Sequence, residues 1–162
     1  MGKLYTGNGD SGLTKDFAGN ELKKDDLIIQ VNGKIDSLQS ALDMCIFLCV
    51  NEEHRKILNE VQKKLWQVAG EVANCDRDCL IWPVTDSDLQ NLEEFIDSLG
   101  EPPNKFVRFE NEKAIWFNEC RVRCRDLERE LVKLLGAGKL RGEIFKYVNR
   151  LSSLFFILGY KS

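Results

Sequence analysis

A chain of 162 residues lies near the size of one domain and is long enough to bury about two-thirds of its unfolded surface around a single core. With 43% hydrophobic and 30% charged residues it is neither disordered nor fibrous, and three prolines among many Leu, Lys, Glu and Asp favour helix over sheet. The formal net charge of −3 repels polyanions, which excludes nucleic acid and a membrane surface as principal partners; a few arginines in one cleft would still hold a small anion.

Residues 1 to about 24 have no sustained periodicity and contain five glycines, so they read as an ordered or ligand-ordered loop rather than a helix or strand. From Asp25 the pattern changes: Ile28, Val31, Ile35, Leu38, Leu42, Cys45, Ile46 and Cys49 recur at steps of three and four, which predicts a helix burying one stripe. A second helix is predicted from about Glu52 to Ala73, with Ile57, Leu58, Val61, Leu65, Val68 and Val72 inward. Residues 74–84 form a connection, after which Thr85 or Asp86 caps a short helix that Gly100 and Pro102-Pro103 stop. Residues 104–110 alternate, but one isolated strand makes no sheet, so they are assigned to loop. A fourth helix runs from about Glu112 to Leu135 and a fifth from about Arg141 to Leu158, parted by Gly136-Ala137-Gly138. The expected architecture is all-α: an antiparallel five-helix bundle over about 25–160, in one domain spanning 1–162, with residues 1–24 as its N-terminal loop.

Six cysteines fall in three Cys-x-x-x-Cys pairs (Cys45 and Cys49, Cys75 and Cys79, Cys120 and Cys124). A disulfide framework or a metal site is one reading. Buried packing thiols are the stronger one, because a spacing of four puts each pair on one helix face and the lone His54 sits in a charged run, where it is expected to face solvent. No secretory segment precedes them, so reduced thiols in the cytoplasm are expected.

Gly7-Asn8-Gly9-Asp10-Ser11-Gly12 matches the dinucleotide fingerprint only formally, since no strand precedes it and no helix begins within it. Its physics remains: glycines let backbone N–H groups converge, and Thr6, Ser11 and Thr14 add hydroxyl donors, so the loop is either a phosphate nest or a flexible tail. On the fourth helix Arg121, Arg125 and Glu128 are spaced by four and three and project from one face. Guanidinium forks suit phosphate or carboxylate oxygens; the competing reading is a solvated stripe stapled by Arg125 and Glu128, and spacing alone favours that competitor. Asp36 interrupts the apolar first helix beside Ile35 and Leu38, where an arginine partner from another helix or subunit is expected, and Asn149 is a similar polar interruption on the fifth. Phe106 is a large aromatic on a loop with no place in a helical stripe.

Taken in order, Tyr5-Thr6 leading to Gly9-Asp10-Ser11-Gly12, Lys24-Asp25-Asp26, Asn32-Gly33-Lys34-Ile35-Asp36-Ser37-Leu38, the run from Cys120 to Glu128 and Asn149-Arg150-Leu151-Ser152 resemble the ATP:corrinoid adenosyltransferases of the propanediol-utilisation (PduO) type. The resemblance spans nearly the whole chain. It implies a homotrimer of five-helix bundles with sites between subunits, using ATP with Mg²⁺ to adenosylate the cobalt of reduced cobalamin. By similarity Thr6, Gly7, Asn8, Gly9, Asp10, Thr14, Lys15 and Lys24 wrap the nucleotide, and Arg125, Glu128, Arg129 and Asn149 complete that site from a neighbouring subunit. Asp36 and Arg121 match an intersubunit pair needed for corrinoid handling, and Phe106 falls where the family presses a ring under the corrin, excluding the lower axial ligand. Arg121, Arg125, Glu128 and Asp36 are thus the implied catalytic set, and a reductase or an adenosylcobalamin-dependent enzyme is an implied partner. No general base is required, so the lack of a catalytic His fits. The chain departs from the family pattern at Gly7, Asn8, Ser37, Asp126 and Ser153, and Glu110-Asn111-Glu112 stands where a Pro-x-Gly-Gly turn is usual. These departures keep open a non-catalytic ATP- or corrinoid-binding module.

Overall fold

The computed structural model describes residues 5, 7–74 and 81–162. Its first elements are two short strands, β1 (Leu13–Lys15) and β2 (Glu21–Lys23), paired antiparallel with Thr14 opposite Leu22. This corrects the expectation of loop throughout residues 1–24. Strands of three residues are too short to print an alternating pattern, and the hairpin is set by its turn: Asp16 accepts from the Asn20 backbone N–H at 2.8 Å and side-chain amide at 2.9 Å, while Gly19 takes φ 83°. The hairpin is tied to the rest of the chain by Phe17 N–H donating to the Ala73 carbonyl at 3.2 Å and by the Asn74 amide on Asp16 at 3.1 Å.

Five helices follow: α1 (Leu27–Leu48), α2 (Glu52–Val72), α3 (Asp86–Ser98), α4 (Glu112–Gly136) and α5 (Gly142–Tyr160). Four start where a short polar side chain satisfies an orphan amide: Asp26 accepts from Ile28, Asn51 from His54, Thr85 from Asp88 in a reciprocal capping box, and Asn111 from Ala114. Thr85, not Asp86, is therefore the cap of α3. Residues 104–110 are loop.

Packing contacts order the helices as α2, α1, α4, α5, α3, with α4 central between α1 and α5. The short α1–α2 and α4–α5 connections turn those neighbours antiparallel. Val31, Ile35, Leu38, Leu42, Leu58, Leu65, Phe117, Leu127, Leu131, Leu151 and Phe155 are fully buried, and each such side chain contributes about 1.5–3 kcal/mol of transfer free energy. Ile28, Ile46 and Ile57, expected on the inner stripes, are half-buried at their edges.

The cysteines that can be placed behave as packing residues. Cys45 and Cys120 meet across α1 and α4 with Sγ atoms 3.5 Å apart, Cys124 donates to the Val148 carbonyl at 3.1 Å, and Cys49 closes α1; all four are buried and free. The contact with Cys45 and burial push the Cys120 thiol far up, so it is not a nucleophile. Cys75 and Cys79 lie outside the described residues. His54 does not face solvent as expected: it is half-buried, edge-on to Phe95 with centroids 5.9 Å apart, because the docking of α3 covers that side of α2.

Candidate active site

The glycine loop is built by positive-φ turns at Gly7 (75°) and Gly12 (79°), where a side chain would be strained. Asp10 N–H donates to the Gly7 carbonyl at 3.1 Å and Gly12 N–H to that of Gly9 at 3.2 Å, so two of the loop's amides serve the turns. Lys24 N–H returns to the Gly12 carbonyl at 2.9 Å, and the Lys24 ammonium lies where a Cβ on Gly9 would be only 2.6 Å away. The fold thus brings Gly9 and Lys24 together. Asn8 and Asp10 are exposed, Thr14 is half-buried in β1, and Lys15 is exposed at its end; Thr6 lies outside the described residues.

On α4, Arg121 is half-buried and donates Nε to Asn118 Oδ1 at 3.0 Å, while Arg125 is exposed. No ion pair joins Arg125 to the half-buried Glu128 among the described residues, so the staple of the competing reading is absent there. Both arginines open instead into a cavity of about 310 Å³ between α4, α5 and the segment after α3, shared with Ser152, Ser153 and Phe156. Arg121 and Phe156 also border a second cleft, of about 530 Å³, whose other wall is the loop carrying Phe106. That ring is 97% exposed. The arginine face and the exposed aromatic therefore meet at Arg121. Asn149 is half-buried on α5, its carbonyl accepting from Ser152 Oγ at 3.0 Å.

Two departures from the family pattern engage neighbouring cations. Asp126 receives Arg129 at 2.7 Å and also Lys34 from α1, and the Lys34 contact, followed by Arg129, holds its carboxyl below the usual range. Ser37 accepts from Arg123, which also pairs with Glu119 at 2.8 Å.

Asp36 is not brought to Arg121 within the chain. It is exposed in the single chain, where water solvates it, and among the described residues no arginine of another helix pairs with it, which leaves the partner from another subunit as the expectation. It lines a third groove, of about 590 Å³, between α1 and α2 with Lys15, Phe17 and Trp66. The same groove holds Asn32 and Gln39, whose buried side-chain oxygens have no hydrogen-bond partner among the described residues. The sequence placed Asn32 in a family motif without singling it out as a site residue, and Gln39 was missed. The available signal was their spacing with Asp36, four and then three, which repeats the Arg121, Arg125, Glu128 spacing on a second helix.

A family model described as cobalamin adenosyltransferase matches residues 4–162. The chain belongs to that family. A corrinoid adenosyltransferase of Citrobacter freundii is 32% identical over 98% of this chain and 94% of the relative. The corrinoid adenosyltransferase PduO of Salmonella typhimurium is 29% identical over 96% of this chain, which spans only 48% of that longer protein. Among solved structures, a variant PduO-type ATP:corrinoid adenosyltransferase from Lactobacillus reuteri complexed with cobalamin and ATP superposes with a TM-score of 0.84 at 25% identity, covering 97% of this chain and 91% of that one.

Proposed function

We propose that this chain transfers the 5′-deoxyadenosyl group of ATP to the cobalt of reduced cobalamin and releases triphosphate. The observation that carries the reading is the junction at Arg121 of an arginine-lined cavity and an aromatic-edged cleft, in a chain of this family. Cobalt(I) supplies an electron pair to C5′ of ATP, the C5′–O bond breaks, and its electrons leave on the triphosphate, so no proton has to move. What the protein supplies is positioning and positive charge. Arg125 and Lys24 stabilise the leaving triphosphate through charge-assisted hydrogen bonds, and Gly9, having no side chain, leaves room for the Lys24 ammonium against the loop. Glu128, on the face of Arg125, accepts from the nucleotide, as Asn149 does from α5. Phe106 covers the lower corrin face and keeps water and the axial base from cobalt.

Mg²⁺ fits as a companion of the triphosphate rather than as a caged ion. No cluster of three His, Cys, Asp or Glu able to hold a metal occurs among the described residues, and Mg²⁺ commonly binds through phosphates with one or two carboxylates. Glu128 is the carboxylate on the right face. When bound, the ion would supply charge neutralisation at the phosphates.

The site is completed by a second copy. Among the described residues Asp36 has no cationic partner on one face and Arg121 and Arg125 have no carboxylate partner on another, so head-to-tail contact supplies each with the other and closes a homotrimer. Light scattering that reports a monomer at micromolar concentration refutes the shared site. The buried, free thiols suit a reducing cytoplasm, and the need for reduced cobalt makes a reductase the expected partner. No helix among the described residues is long and apolar enough to cross a membrane.

One observation favours a second reading, a non-catalytic module that holds ATP or a corrinoid: Asp126 occupies Arg129, a cation that the family resemblance assigns to the nucleotide. An anaerobic assay with ATP, Mg²⁺ and chemically reduced cobalamin, followed through the corrinoid spectrum, decides between them. Formation of a cobalt–carbon bond supports the enzyme; binding without any change to the alkylcobalamin spectrum supports the module.

A further inference from the structure

We propose that Lys105 and Arg108, which flank Phe106, discriminate between corrinoids by binding the anionic phosphodiester of the nucleotide tail below the ring. The inference rests on the adenosyltransferase reading of the same cleft. Lys105, Arg108 and Arg121 line that cleft together with apolar Phe109 and Phe156, and among the described residues no Asp or Glu lines it. Neither Lys105 nor Arg108 has an ion-pair partner among the described residues, whereas Lys34, Lys64, Arg123, Arg129, Arg141 and Arg150 are all paired. Two cations without an ion-pair partner among the described residues thus line one cleft with a ring that is 97% exposed, on a stretch of chain that reaches at most about 10 Å from one to the other.

The chemistry of the ligand says what such a pair can read. The amide side chains of a corrin are uncharged, and the fixed negative charge of cobalamin is the phosphodiester that links its lower base to the ring. If Phe106 takes the place of the base beneath cobalt, the base stays tethered through that phosphodiester, which must leave the lower face past the loop that carries Phe106. Lys105 and Arg108 stand on that path. Arg108 also stands two residues before Glu110-Asn111-Glu112, where this chain departs from the Pro-x-Gly-Gly turn of the family pattern.

The test compares cobalamin with cobinamide, the same ring without the phosphate, ribose and base. Half-saturating concentrations are measured with the full chain, ATP and Mg²⁺ at low and high ionic strength. The wild type should favour cobalamin by roughly three- to tenfold at low salt, and the preference should shrink as salt screens an exposed ion pair. Lys105→Met with Arg108→Met should bring the ratio close to one by weakening cobalamin alone, and Arg108→Glu should reverse it. Both positions are exposed, so melting temperatures should stay within the wild-type range, and the salt dependence of the wild type tests the idea without any variant. Equal half-saturation for the two corrinoids, or variants that lose both alike, overturns the inference and leaves the adenosyltransferase reading standing. Failure to bind or adenosylate either corrinoid removes that reading and the inference with it.

Discussion

Replacing Gly159 by alanine should destabilise the protein, although the same change in most helices is stabilising. A Cβ at this buried position of α5 would lie 3.1 Å from Phe117 Cβ, 3.2 Å from Phe109 Cε1 and 3.3 Å from the Ala114 carbonyl oxygen. Two of these neighbours belong to the backbone region of α4 and cannot swing aside, so the α4–α5 seam must open by a few tenths of an ångström. Overpacking of this kind costs about 1–3 kcal/mol, against a gain of about 0.5–1 kcal/mol from removing a flexible residue from a helix. The net loss is about 0–2.5 kcal/mol, centred on about 1 kcal/mol, and at this chain length each kcal/mol lowers the melting temperature by about 2–4 °C. Gly142→Ala is the matched control: it sits at the first turn of α5 with nothing within 4 Å of the added Cβ, and should stabilise by about 0.4–1 kcal/mol. Urea unfolding of both variants reads the two signs directly. Phe109 packs edge-on against Phe156, 6.1 Å between centroids, and both line the Phe106 cleft, so Gly159→Ala should also weaken corrinoid binding more than ATP binding. A Gly159→Ala midpoint at or above the wild-type value would refute the packing argument.

Arg125→Ala should lower turnover by about 10²–10³ with unchanged helical circular dichroism, because it removes charge-assisted bonds to the leaving triphosphate and no packing; retention of wild-type turnover would return the residue to the solvated stripe. Phe106→Ala should slow adenosylation that starts from cobalt(II), where an axial ligand has to be displaced, far more than transfer from pre-formed cobalt(I), and should leave ATP affinity intact. Equal losses from both oxidation states with a lower melting temperature would make the ring a packing anchor. Burial, reinforced by Lys113, holds the His54 pKa below its ordinary 6.5, so the unfolded chain takes up the proton first. Stability should therefore fall as pH drops below 6.5 and this loss should level off once pH passes below the folded pKa; His54→Gln should flatten that part of the profile, and an unchanged slope in denaturation series from pH 7.5 to 5 would contradict it.

Inner stripes were legible in the sequence because apolar steps of three and four lie on one face whatever the rest of the chain does, and the start of α3 because Thr85 satisfies an amide three residues away; the caps Asp26, Asn51 and Asn111 act just as locally but were not named from the sequence. The family was legible for a different reason, the order of several weak motifs over nearly the whole length. Tertiary structure alone decided how those faces meet. Docking of α4 between α1 and α5 put Lys34 on Asp126 and Arg123 on Ser37, some ninety residues away, and it joined the arginine cavity to the Phe106 cleft at Arg121. Covering by α3 turned His54 from the solvent-facing residue expected of a charged run into a ring against Phe95. Asp36 is the clearest case: its neighbours in sequence are core residues, but only the placement of α2 beside α1 determines that its own side opens onto a groove, because burial is a property of what docks on a helix face and not of the helix itself.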